Sequence, residues 1–161
     1  MENNGKKRPP SDVDMENEEN PEDDFPMRDV VEDAFGNKRS FLISYRTVGP
    51  GHTVTAEEEG KDGYGYQFES FSETSPYNAL FDLRSKMARS LATCHITKDD
   101  HGYTLLHDTL RGRITWGGME RIILVVDGIP LTMEDLYEIL STHEGWLFRL
   151  EIVDPSGDVS K

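Results

Sequence analysis

A chain of 161 residues with 31 acidic and 17 basic side chains carries a formal net charge of −14, and its length is that of a single domain. That balance argues against unaided binding to nucleic acid or an anionic membrane, because attraction to phosphate needs clustered Lys and Arg. The one cysteine, Cys94, excludes an intramolecular disulfide and fits a reducing compartment.

The N-terminus has no apolar signal-peptide core, and the longest strongly apolar run, Ile122 to Val126, is far too short to span a bilayer. The expected address is the cytoplasm, with no membrane contact. Acidity favours solubility and a basic protein partner.

Residues 1–28 read as a disordered acidic tail. Residues 1–24 alone hold nine acids against Lys6, Lys7 and Arg8, with prolines at 9, 10 and 21, too little apolar surface to offset the entropy of ordering. Residues 29–155 are expected to form one α+β domain, and residues 156–161 a short polar C-terminal tail. Phe35-Gly36-Asn37 is a turn signal leading into Ser40–Val48, where Phe41, Ile43 and Tyr45 alternate with Leu42, Ser44 and Arg46 as in a strand. Gly49-Pro50-Gly51 stops that strand, and charged residues 56–63 read as a loop. Tyr64–Phe71 alternates again and is the second expected strand.

Ser75-Pro76 starts a helix, with Ser75 as N-cap and Pro76 in the first helical position. Leu80, Leu83, Met87 and Leu91 follow at helical spacing as its buried stripe, and the helix is expected to end near Thr93. Residues 98–102 read as a polar loop. Leu110–Trp116 and Arg121–Val126 flank Gly117-Gly118 and predict a hairpin, followed by an Asp127-Gly128 turn.

Thr132 with Asp135 three residues on is a capping-box variant. Met133, Leu136, Tyr137 and Leu140 are the expected buried stripe of the helix it opens, and Gly145 its stop. Trp146–Val153 reads as a closing strand. The expected order is β-β-α-β-β-α-β, with two helices packed on a mostly antiparallel five-stranded sheet.

Val31-Glu32-Asp33-Ala34-Phe35-Gly36-Asn37, Gly65-Tyr66-Gln67-Phe68-Glu69, Arg111-Gly112-Arg113-Ile114, Asp127-Gly128 and Glu144-Gly145-Trp146-Leu147-Phe148-Arg149-Leu150-Glu151-Ile152 occur in that order. Through these segments residues 30–155 resemble an uncharacterised bacterial family of domains of unknown function. The resemblance implies a domain and no activity. It also implies, in some members, a Cys-rich zinc-binding segment ahead of the domain; here that position holds the acidic tail and no cysteine.

No nucleophile elbow, P-loop, dinucleotide fingerprint or H-E-x-x-H motif occurs, so no catalytic residue and no cofactor or metal is expected. Cys94, His95, His101 and His107 come closest to a metal cluster, but their spacing matches no zinc pattern and only one thiolate is present. They read as polar loop residues. Arg111 and Arg113, on one face of the first hairpin strand, form the foremost candidate surface, suited to a phosphate, a carboxylate or an acidic partner. The same geometry suits cross-strand ion pairs with Glu151 or Glu69.

His143 and Glu144, at the end of the last helix, are the second candidate surface. His143 also suits the helix dipole, and Trp146 beside them reads as packed on the sheet. The leading functional expectation is a non-enzymatic protein-interaction or accessory domain. The alternative is an enzyme or small-ligand-binding protein that uses Arg111 and Arg113 on a phosphorylated or acidic ligand. Nucleic-acid binding through Arg84, Lys86, Arg89, Arg111, Arg113 and Arg121 is a third reading, opposed by the overall charge.

Overall fold

The computed structural model describes residues 20–119 and 121–157. Within them the chain runs α1 (Pro21–Asp24), β1 (Met27–Glu32), β2 (Lys38–Val48), β3 (Gly51–Glu58), β4 (Gln67–Ser72), α2 (Pro76–Leu91), β5 (Ile96–Asp99) and β6 (Gly102–Leu105). It continues through β7 (Arg113–Trp116), β8 (Ile122–Val126), β9 (Ile129–Leu131) and α3 (Met133–Ser141). The class is α+β as expected. The single five-stranded sheet is not found: the strands form three antiparallel sheets, β1-β2-β3-β4, β5-β6 and β7-β8-β9. Most of the expected acidic tail, residues 1–19, lies outside the described residues.

Local chemistry accounts for the strands that the sequence conceals. Gly49-Pro50 does not end a sheet but turns it. Val48 pairs with Gly51 across a two-residue hairpin loop, and Gly49 supplies the positive φ of 58° that such loops require. β3 then runs on through Glu58, taking in the first three residues of the stretch read as a charged loop, because Glu58 is buried there with Arg39 as its ionic partner; residues 59–63 are the expected turn. The polar residues 98–102 contain the reversal of the β5-β6 hairpin, where Asp99 pairs with Gly102.

The helix starts are legible. Ser75 Oγ accepts the Tyr77 N–H at 3.1 Å with Pro76 in the first turn, and Leu80, Leu83, Met87 and Leu91 are all buried as the periodicity predicts. They pack on Phe41, Ile43, Val54 and Ala56 of β2 and β3, forming the larger core. Each such side chain contributes about 1.5–3 kcal/mol by leaving water. A second, smaller core joins Ile96, Val126, Leu131 and Ile139.

α3 has the expected capping box. Thr132 Oγ1 accepts from the Asp135 N–H at 3.1 Å, and Asp135 Oδ2 accepts from the Thr132 N–H at 2.8 Å. Thr132→Ala is expected to lower stability by about 1 kcal/mol in chemical denaturation.

The buried face of this helix departs from expectation. Ile139 is buried and Leu136 half-buried, whereas Met133, Tyr137 and Leu140 face solvent. A short helix with apolar residues on two faces can dock by either, and here the Leu136–Ile139 side meets the sheet. Trp146–Val153, expected as the closing strand, joins no ladder among the described residues. No helix among the described residues is long and apolar enough to cross a membrane.

Candidate functional site

Between β4 and β7 lies an open groove of about 640 Å³. Its walls are the start of β4 with Gly65 and Tyr66, the C-terminal half of α2, residues 110–114, the end of β8, and Leu150–Pro155. Close backbone packing forms one wall: a Cβ on Gly112 would meet the Val125 carbonyl oxygen at 2.2 Å, so only glycine lets these two segments approach.

Two buried polar residues close the floor. The Asp127-Gly128 turn joins β8 to β9 with positive φ at both positions, 52° and 72°, the conformation of a type I′ hairpin turn. It directs the Asp127 carboxylate at the start of β5. Oδ2 accepts the backbone N–H groups of His95 at 2.6 Å and Ile96 at 2.9 Å. Oδ1 lies 2.8 Å from His95 Nδ1. A carboxylate only accepts, so Nδ1 carries the proton in this pair.

The sequence expectation of a polar loop histidine is therefore wrong for His95, which is buried. Cys94 beside it is half-buried, and burial, reinforced by the charge of Asp127, pushes its thiol pKa up. A thiol so disposed is a poor nucleophile. No group of three or more metal-ligating side chains occurs among the described residues.

A second buried network stands beside the groove. Arg39 links Asp33, through Nε at 2.9 Å, to Glu58, through Nη1 at 2.8 Å, and its guanidinium lies over the Tyr66 ring. Glu58 Oε2 also accepts the Tyr66 N–H. Burial would raise the Asp33 carboxyl, but hydrogen bonds from the Asn37 backbone, Arg39 and Phe35 outweigh it and lower the pKa to about 2. Burial, then the charge of Asp127, drives the Tyr66 phenol up, so it stays protonated.

The groove gathers Arg111 and Arg113 but not His143 or Glu144. Arg113 Nη2 donates to the Gly63 and Gly65 carbonyls at 2.8 and 3.3 Å, tying β7 to the loop before β4, and burial lowers its pKa. Its Nε is buried without a hydrogen-bond partner. The cross-strand acids go elsewhere: Glu69 pairs with Arg46 and Glu151 with Arg149.

His143 Nδ1 lies 3.0 Å from the Ile139 carbonyl, and its ring meets Trp146 edge-on at 5.2 Å, while Glu144 is exposed. Trp146 itself is largely exposed instead of packed on the sheet. Of the cations considered for nucleic acid, Arg84 is held by Asp29, and Lys86 donates to the Glu69 and Ser156 carbonyls.

Four cationic side chains line the groove (Lys86, Arg89, Arg111 and Arg113), but so do Glu69, Asp127, Glu151 and Asp154. Opposite charges in equal number give no concentrated field for an anion. A different surface stands out on the outer face of α3. Met133, Tyr137 and Leu140, at i, i+4 and i+7, are 44%, 69% and 55% exposed. Glu134, Asp135 and Glu138 flank them on the same helix.

Residues 23–92 match the family described as Domain of unknown function (DUF7686). Residues 95–157 match Domain of unknown function (DUF7713). Together the two matches, both to domains of unknown function, cover residues 23–157 apart from 93 and 94. The first match holds the four-stranded sheet with α2, and the second holds β5–β9, α3 and the segment after it. The groove is lined from both. No curated protein and no solved structure matches the chain.

Proposed function

We propose that this chain is a non-enzymatic protein-interaction module, an accessory or regulatory domain whose contact surface is the outer face of α3. The observation that carries the reading is the apolar stripe Met133, Tyr137 and Leu140, which sits in water on a well-capped helix. Apolar stripes at this spacing are the anchors by which a helix enters a partner's groove. Acidic residues beside the stripe and the net charge of −14 suit a partner with an apolar cleft rimmed by Lys and Arg. Partner retention by the full chain and by a Met133→Glu/Tyr137→Glu/Leu140→Glu variant tests the reading.

A second reading, a phosphorylated or acidic small ligand held by Arg111 and Arg113, is favoured by one observation: both arginines line the groove. The acids beside them oppose it. Stabilisation of the full chain by millimolar inorganic phosphate, abolished by Arg111→Gln, would support this ligand reading; an unchanged melting temperature would remove it. Residence in the cytoplasm accords with the lone, half-buried thiol.

A further inference from the structure

After α3 the chain runs from Trp146 to Val153 without joining a ladder among the described residues. Its large apolar side chains stand in water, with Leu147 100% and Phe148 88% exposed. Trp146, Phe148, Leu150 and Ile152 would share one face of a strand, leaving Leu147, Arg149, Glu151 and Val153 on the other, more polar one. A segment with this pattern and this exposure lacks a seat.

Three observations locate that seat. β4 and β7 each terminate a sheet, so each presents a row of N–H and C=O groups that could pair with another strand. Both borders and Leu150–Val153 line the same groove. The chain three residues beyond the segment is already held on the β4 side, where Lys86 Nζ donates to the carbonyls of both Glu69 and Ser156. The two borders do not pair with each other; Arg113 reaches across to Gly63 and Gly65 with its side chain instead.

We infer that the groove between β4 and β7 is a receptor for an extended polypeptide, and that its resident occupant is this chain's own Trp146–Val153. Seated there, the segment adds a strand between β4 and β7 and makes one continuous sheet of the four-stranded and three-stranded ones. Eight residues extend about 26 Å, enough to cover the roughly 20 Å of a six-residue strand such as β4. Specificity follows from alternation: apolar side chains take one face, while the backbone supplies the affinity. Residues 29–155 then form a single unit although two domain families meet within them. This surface is separate from the α3 stripe, so either reading can fail alone.

Hydrogen exchange of the full-length protein tests the inference. Amides 148–152 of the monomer are expected to exchange about 100-fold or more slowly than those of a free peptide of the same sequence. Exchange at peptide rates would overturn the inference. So would protection that appears only in a concentration-dependent dimer, which would place the segment on a second copy.

Phe148→Asp with Leu150→Asp should unseat the segment and deprotect the facing amides of β4 and β7. A synthetic peptide of residues 146–153 should then restore their protection. A folded variant on which that peptide has no effect would show that the groove is not a receptor. Should the variant fail to fold, exchange in the unaltered chain still decides.

Discussion

Replacing Arg39 by Met is expected to lower the stability of the chain by about 3–5 kcal/mol, the usual cost of removing one partner from a buried ion pair. The guanidinium is shared by Asp33 and Glu58, whose side chains are 1% and 4% exposed. Its loss strands two carboxylates out of water. Equilibrium denaturation in urea measures the effect. Changing Asp33 to Asn and Glu58 to Gln in the same chain should recover part of the loss, because the stranded charges are then gone.

The same network sets an acid limit. The Asp33 pKa is held at about 2, below its ordinary 3.8. A depressed carboxyl gives stability that is complete above the unfolded value and is lost as pH falls through the folded one. The Asp33 contribution should therefore persist at pH 5 and fade between about 4 and 2. In Asp33→Asn that component of the acid transition should disappear.

Asp127→Ala is the second large effect, expected at about 3 kcal/mol. It leaves the buried N–H groups of His95 and Ile96 without an acceptor, each at a cost of about 1–3 kcal/mol. It also places alanine at a φ of 52°, which aspartate and asparagine tolerate better. Asp127→Asn keeps the turn and one carbonyl acceptor, so it should lose clearly less than alanine. Thermal and urea unfolding of the pair measure the two terms together. Equal losses would show that neither the hydrogen bonds to β5 nor the turn conformation contributes much.

These residues also mark how far the sequence could be read. α2 was legible because capping and periodicity agree: Ser75-Pro76 opens it, and one stripe of Leu80, Leu83, Met87 and Leu91 has a single sheet to meet. α3 was legible in its start but not in its rotation. Met133, Tyr137 and Leu140 compete with Leu136 and Ile139 for the sheet, and local spacing cannot rank two apolar faces of a nine-residue helix.

β3 was concealed because Glu58 reads as surface until Arg39, nineteen positions earlier, is brought against it. The division into three sheets was illegible for a related reason, since strand pairing is decided by non-local contacts. At the site, Arg111 and Arg113 could be singled out by type and spacing. The His95–Asp127 pair could not, because it joins residues thirty-two positions apart. The only local signal was Asp127-Gly128, which announces a turn and says nothing of where its carboxylate points.

The outer face of α3 is proposed to engage a protein. The most direct test is quantitative co-purification from the native host, comparing the tagged full-length chain with the Met133→Glu/Tyr137→Glu/Leu140→Glu variant. Urea unfolding should first establish that the two are equally stable, since all three side chains are exposed. A stoichiometric partner is expected on the unaltered chain, at least tenfold depleted on the variant. A partner retained equally by both, or a clean monomer from both, would contradict the proposal.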